Sequence, residues 1–327
     1  MSSVEARLLL AVRTRDSIRS AVAHRLPGIS AVFLEESTPA DWRYVDAALL
    51  GSIAREASSW EPSATPRLRF VQRIFTGVDD LPFDRFPPSV EIAGNVGGYA
   101  PFVAEHAVAL ALAAARTLVT AHAQAAAGRL RPSPDNRTLW HRTVVILGYG
   151  EIGREIARRL TGFGVRIVGV NRTGSLAPGC DEMVPADRLR EALRRGEVVF
   201  DARPLTRATR ATIGTAELEA MPADAILVNV GRAATIDEEA LYRHLVAHPE
   251  FRAGLDVWWG EGFGDGTLRF RYPFLSLPNV VGTPHSAGFA PGVEAYALET
   301  ALENLGRYFH GDAPLHRVDR SEYEAPR

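Results

Sequence analysis

The chain has 327 residues, 46% hydrophobic and 23% charged, with a formal net charge of -2. That suits two globular domains of ordinary size and gives no electrostatic reason to expect a nucleic-acid or membrane partner. Cys180 is the single cysteine, which excludes an internal disulfide framework, and all 37 basic residues are arginine, which excludes Schiff-base lysines, Walker-type phosphate loops and lysine general bases.

Leu8–Val12 is too short for a signal segment and belongs to a predicted first strand, Arg7–Val12. No apolar run approaches the ~20 residues of a membrane span, so a cytoplasmic protein is expected. Asp16–His24 is predicted helical, with Ala31–Glu35 and Ala47–Leu50 extended. Arg69–Phe75 reads as a strand leading into the turn Thr76–Asp80, and Val90–Ala93 as another closed by Gly94–Tyr99. Val103–Val119, rich in alanine and leucine, predicts one helix, apolar nearly all round and hence buried between two domains. Gly128–Arg137, with two prolines, reads as an exposed connection.

Thr143–Leu147 is a continuous β-branched and aliphatic run, as a strand buried on both faces requires. Gly148, Gly150 and Gly153 follow in the spacing G-x-G-x-x-G, and an amphipathic helix follows them. Gly148 permits a tight turn, Gly150 lets a pyrophosphate touch backbone, and Gly153 lets helix and strand pack closely. With Tyr149, Glu151 and Ile152 they form the expected phosphate site at a helix N-terminus. Further predicted strands are Val165–Val170, Val198–Ala202, Ala225–Val230, Ala253–Val257 and Asn279–Gly282, with helices at Asp187–Arg195, Asp237–Ala247 and Ala290–His310. Six strands predict a doubly wound parallel sheet with a dinucleotide across their carboxyl ends.

The second of these strands ends in Asn171-Arg172-Thr173. It lacks the carboxylate that would repel a 2′-phosphate, and Arg172 can pair with one, so NADP is expected over NAD. Other strand ends bring Arg232, then Asp256 with Glu261, then His285. Arg, Glu and His beside a nicotinamide suffice for carbonyl reduction. The His and carboxylate spacings fit no metal site, and none is predicted.

Gly77-Val-Asp79, Val103-Ala-Glu-His106, the glycine loop, Pro204-Leu-Thr-Arg-Ala-Thr209, Val228-Asn-Val-Gly-Arg232, Asp237-Glu-Glu-Ala-Leu241 and Thr283-Pro-His285-Ser-Ala-Gly288 occur in this order. Together they resemble the D-isomer-specific 2-hydroxyacid dehydrogenases over nearly the whole chain. The resemblance implies a Rossmann cofactor domain, residues 98–286, inserted in a smaller flavodoxin-like α/β substrate domain, residues 1–97 plus 287–327. It implies that Arg232 binds the substrate's carboxylate and keto oxygen, and that His285 is the general acid of reduction and base of oxidation. Glu261 would hydrogen-bond the imidazole and favour its protonated form. Asp256 would hold the nicotinamide carboxamide. Arg203, Pro204, Thr209, Val230, Gly231, Ala287 and Gly288, with His285, complete the cofactor-binding set. Backbone N–H groups around Thr76, Gly77 and Gly98 would cradle the substrate carboxylate, and Tyr99 would touch the substrate.

The implied activity is an NADPH-preferring reductase of small 2-keto acids such as glyoxylate or hydroxypyruvate, acting as a homodimer. Formate is disfavoured, because Glu261 stands where formate-oxidising relatives carry Gln. The alternative on the same fold is a dinucleotide-sensing, corepressor-like interaction protein. His106 reads as a packing residue. Two departures from the family pattern stand out, Ala233 in place of glycine and Arg203 in place of a small or apolar residue. Arg203 reads either as a second ligand of the 2′-phosphate or as an exposed side chain. One of Trp258 and Trp259 is expected to line the substrate pocket. The aromatic and basic segment 262–274 reads as an insertion shaping that pocket or as a dimer contact.

Overall fold

The computed structural model describes residues 6–130, 135–262 and 266–323. The chain divides into two units, one running to Tyr99 and resuming at Pro291, the other Ala100–Ala290. In the first, β1 (Arg7–Ala11), β2 (Ser30–Phe33), β3 (Ala47–Leu50), β4 (Phe70–Arg73) and β5 (Glu91–Ala93) form a parallel sheet in the order β2-β1-β3-β4-β5. This is the flavodoxin-like order. Parallel strands are covered on both faces, which is why Leu8, Leu9 and Leu10 are all fully buried. On one face Leu8, Leu10 and Leu49 meet Leu298, Leu302 and Leu305 of the helix Val293–Phe309. Each buried leucine contributes roughly 1.5–3 kcal/mol, so this late helix is part of the first unit's core. The other face packs Leu9, Val71 and Ile92 with Trp42, Trp60 and Phe86.

The second unit contributes β6 (Thr143–Leu147), β7 (Arg166–Asn171), β8 (Glu182–Pro185), β9 (Val198–Asp201), β10 (Ile226–Asn229) and β11 (Arg252–Leu255). A short antiparallel hairpin, β12 (Glu261–Gly262) with β13 (Thr267–Leu268), and then β14 (Val280–Gly282) complete it. The large sheet is parallel throughout, in the order β14-β11-β10-β9-β6-β7-β8. The chain steps outward from β6 through β7 to β8, then returns to the other side of β6 at β9. The switch of direction between β6 and β9 opens the crevice in which such sheets bind ligands. Seven strands replace the six predicted. The extra one, β8, lies at the edge and buries only Val184, so no apolar run announces it.

The predicted helix Val103–Val119 is two helices, Ala100–Ala115 and Leu118–Ala126, bent by 60° about Thr117, whose φ is 47°. Buried Arg252, at the start of β11, causes the break: it donates to the carbonyls of Ala114 and Ala115, both at 2.9 Å. Those last-turn acceptors are thereby satisfied outside the helix ladder, Ala115 O also receiving Arg137 N at 2.8 Å. The first helix buries Ala104, Ala107, Leu110 and Ala111 on its own unit's sheet, so closely that a Cβ on Gly254 would lie 3.0 Å from that of Leu110. The second helix, though apolar, buries no residue. Among the described residues, no single helix is long and apolar enough to cross a membrane.

Candidate active site

Because every strand of the large sheet points the same way, the loops that follow them share one edge. Sheet order puts the end of β14 first, then β11, β10, β9, β6 and β7. His285, Asp256, Arg232, Arg203, Gly148 and Arg172 follow those strands in that spatial order.

At the end of β6 the three glycines answer to three different causes. Gly148 has φ +83°, a left-handed conformation that disfavours a side chain. A Cβ on Gly153 would sit 2.5 Å from the Gly148 carbonyl oxygen, so the helix Glu151–Leu160 could not approach the strand. A Cβ on Gly150 would meet nothing within 4 Å and its φ of -90° is ordinary, so neither clash nor backbone angle requires glycine there. That open backbone, beside the first turn of a ten-residue helix beginning at Glu151 and Ile152, suits a pyrophosphate. Tyr149 is turned inward. Its ring is buried against Gly169, its hydroxyl donates to Pro178 O at 3.2 Å, and its N–H goes to Val170 O. It braces the loop after β7, and its side chain is not a cofactor ligand.

In that loop, Asn171 Oδ1 accepts from the N–H groups of Thr173 (3.1 Å) and Gly174 (2.6 Å), and its Nδ2 donates to Ser175 O at 2.9 Å. The turn so formed leaves Arg172 and Thr173 exposed at the sheet edge. At the end of β9 neither expectation for Arg203 survives. Its side chain is 11% exposed and grips fully buried Asp201 through Nε (2.9 Å) and Nη2 (2.6 Å). A guanidinium committed to a buried carboxylate is neither a surface group nor a ligand of a 2′-phosphate. Beyond it, exposed Pro204 is tied to Thr209, whose hydroxyl donates to Pro204 O at 2.6 Å.

At the end of β10, Val230 and Gly231 donate their N–H groups to Asp201 O, both at 3.0 Å. Half-buried Arg232 follows, and its carbonyl accepts from Asn229 Nδ2 (3.1 Å) and Thr235 Oγ1 (2.8 Å). Ala233 opens a 3-10 turn, Ala233–Thr235, without a positive φ, so alanine is accommodated where glycine is usual.

The ends of β11 and β14 are locked together. Asp256, 1% exposed, accepts from Thr283 Oγ1 (2.6 Å) and Ser286 N (2.8 Å) on Oδ1, and from Ala287 N (3.0 Å) on Oδ2. Burial pushes its carboxyl up, but hydrogen bonds from His106, Thr283, Ser286 and Ala287 outweigh this and hold it below the ordinary value. Thr283 gives its proton to Asp256, so His106 Nε2, 2.9 Å from the same hydroxyl, must be the donor there. His106 is thus more than a packing residue. The clamp holds His285 at φ 52°, a left-handed conformation that persists only when its surroundings over-determine it.

His285 Nδ1 lies 2.9 Å from Glu261 Oε2, and Glu261 Oε1 accepts from Trp258 N at 2.7 Å. Facing a carboxylate, Nδ1 carries the proton. Glu261 is set by β12, whose register places it opposite Leu268. Trp258 is a core aromatic, whereas Trp259 is half-buried and packs against the same core. Trp258 Nε1 donates to Thr283 O (2.8 Å) and Trp259 Nε1 to Ile236 O (2.9 Å), while the Trp259 ring stacks on Phe274. The segment 262–274 carries this hairpin, and its residues 263–265 lie outside those described. Arg232 and the His285–Glu261 pair flank β11, with their strands separated by roughly 10 Å.

Thr76, Gly77, Gly98 and Tyr99 all lie in the first unit. Thr76 Oγ1 donates to Asn95 O at 3.1 Å, and a Cβ on Gly98 would strike Asn95 Nδ2. Burial pushes the Tyr99 hydroxyl up to about 12, so it stays protonated. The sequence reading missed Asp201, Asn229, Thr235 and Thr283. A polar residue closing an otherwise apolar strand, as in Phe200-Asp201 and Val228-Asn229, was the available signal.

A family model for the NAD-binding domain of D-isomer specific 2-hydroxyacid dehydrogenases matches residues 108–287. The chain is 32% identical to a hydroxypyruvate reductase of Thermotoga maritima over 224 residues, covering 68% of this chain and 71% of that one. The chain belongs to this family. It is also 32% identical to a glyoxylate reductase of Thermococcus gammatolerans, covering 78% of this chain and 77% of the relative. A D-isomer specific 2-hydroxyacid dehydrogenase from Xanthobacter autotrophicus Py2, solved with NADPH and MES, superposes with a TM-score of 0.81 at 26% identity, covering 98% of this chain and 100% of that one. The protein is accordingly an NAD(P)-dependent D-2-hydroxyacid dehydrogenase, with a Rossmann-type sheet in its second unit and a flavodoxin-like sheet in its first. For such a dehydrogenase, the glycine turn and the loops after β7 and β9 to β11 are the elements available to a dinucleotide.

Proposed function

We propose that this dehydrogenase reduces small 2-keto acids of the glyoxylate and hydroxypyruvate type, with NADPH preferred. The observation that carries the reading is the His285–Glu261 pair at 2.9 Å, standing one strand away from the strand of Arg232 on the edge that also bears the glycine turn. Bound reduced dinucleotide supplies the hydride. Arg232 holds the substrate's carboxylate and keto oxygen and stabilises charge developing on that oxygen. His285 Nε2 delivers the proton to the same oxygen, while Glu261 holds Nδ1 and orients the ring. Asp256 keeps the His285 loop in its strained form, and its Oδ2 retains a lone pair for the nicotinamide carboxamide. In the first unit, the backbone at Thr76, Gly77 and Gly98 is assigned to the substrate carboxylate and Tyr99 to the substrate itself.

The cofactor preference rests on Arg172, exposed after β7 with no carboxylate beside it in the Asn171–Thr173 stretch. A spectrophotometric screen of 2-keto acids with both reduced cofactors tests the whole reading. Glyoxylate and hydroxypyruvate are expected as substrates, and kcat/KM is expected to be about tenfold higher with NADPH, a margin that Arg172→Asp reverses. A tenfold advantage for NADH in the parent enzyme sinks the preference, and silence with every 2-keto acid sinks the substrate assignment.

A homodimer fits the apolar helix Leu118–Ala126, with Leu118 52% and Val119 60% exposed. Exposed apolar clusters of this kind mark interaction surfaces. Introducing Leu118→Glu with Val119→Glu is expected to halve the mass seen by light scattering. An unchanged mass places the interface elsewhere.

A further inference from the structure

The fully buried carboxylate of Asp201 takes no part in the chemistry above, yet it grips the Arg232 turn twice. Its backbone carbonyl receives Val230 N and Gly231 N, both at 3.0 Å, and its Oδ2 lies 2.9 Å from Thr235 Oγ1. The same Thr235 hydroxyl lies 2.8 Å from the carbonyl oxygen of Arg232. A threonine hydroxyl has one proton, so Asp201 and Arg232 compete for it. Arg203 engages the same carboxylate. Its Nε and Nη2 occupy both oxygens of Asp201, while Nη1 donates to Thr212 Oγ1 at 2.8 Å. The Thr212 segment in turn pairs with the far side of the Arg232 turn, through Ala211 N to Ala234 O (2.8 Å) and Ile213 N to Thr235 O (3.2 Å).

We propose that Asp201 and Arg203 are positioning residues for substrate binding, a buried ion pair that fixes the Arg232 turn in the geometry from which its guanidinium meets the keto acid. The inference rests on the reading that Arg232 receives the substrate. With its charge answered by the Arg203 fork, the carboxylate leaves the Thr235 proton to the Arg232 carbonyl. Without the fork, an anionic oxygen is the stronger acceptor and draws that proton away. Desolvation offsets much of the attraction in a buried pair, so such pairs are weak stabilisers, and geometric control is what this one offers. The pair also sits where the sheet changes direction. Arg203 Cγ lies 3.0 Å from where a Cβ on Gly148 would be, and Arg203 O 2.5 Å from where one on Gly231 would be.

The test is the kinetics of Arg203→Met, which keeps the Cγ beneath the glycine turn and removes the guanidinium with its bonds to Asp201 and Thr212. KM for glyoxylate is expected to rise about tenfold, with kcat and the NADPH dissociation constant changed less than about threefold. Thr235→Val should act in the same direction. The double variant should be no worse than about the poorer single one, since both cut the same link. Arg203→Lys, which keeps the charge, should return KM to within about threefold of the parent. Should Arg203→Met fail to fold, Thr235→Val and Arg203→Lys carry the comparison. A variant set with lowered melting temperature but parental KM, or with additive losses, overturns the positioning role alone. A parent enzyme that turns over no 2-keto acid overturns the reading of Arg232 and this inference with it.

Discussion

Replacing His285 with alanine is expected to lower kcat for a 2-keto acid by about 10³-fold, the order that goes with losing a positioned general acid, and to leave NADPH binding within about a factor of three. The split follows from where the imidazole is held. Nδ1 is spent on Glu261, so the proposed proton transfer to the carbonyl falls to Nε2. The glycine turn, proposed to take the phosphates, lies on the far side of β11, β10 and β9 in the sheet. The loop that carries His285 is anchored by main-chain bonds from Ser286 and Ala287 to Asp256, which alanine leaves in place. Steady-state kinetics beside a fluorescence titration of NADPH read the two quantities separately. Weakened cofactor binding with turnover preserved would show that His285 serves the dinucleotide instead of the proton.

Arg232→Gln should be nearly as damaging, and in both kinetic constants. A neutral side chain at this position loses the charge-assisted fork to a carboxylate, which raises KM. It also loses the cation facing the oxygen that becomes an alkoxide, a contribution worth about 10²–10³ in kcat at comparable sites. The backbone of the turn should survive the loss of the Arg232 Nη1 bond to Gly231 O (2.9 Å), because the Arg232 carbonyl is held by Asn229 and Thr235. Measuring kcat and KM for glyoxylate, with the melting temperature as control, checks this. A variant that loses only KM would confine Arg232 to ground-state binding, and one that loses neither would remove it from the site.

The sequence made the fold legible wherever strands are buried on both faces. Thr143–Leu147 and Ala47–Leu50 fall where unbroken apolar runs predict them, because only such runs can be covered by helices on either side. It was silent on β8, whose one buried residue leaves no pattern, and it misread the helix after Tyr99, because the residue that ends it, Arg252, is 137 positions away from Ala115. The candidate site divides in the same way. The partnership of His285 with Glu261 was stated from their positions in a family pattern, and the two side chains meet at 2.9 Å. Arg203 was read from its chain neighbours as a surface or phosphate-binding group, whereas its partner Asp201 lies only two residues away, deep in the sheet.

By itself, then, the sequence determined the glycine turn and the run of parallel strands, since these are dictated by local geometry and residue chemistry. Only the tertiary structure decided what lies beneath them: the burial of Trp258, the clamp of Asp256 and His106 under His285, and the ion pair under Arg232. The physical reason is that burial and hydrogen-bond partners arise from elements distant in sequence, and a polar side chain acquires its role from the groups that enclose it.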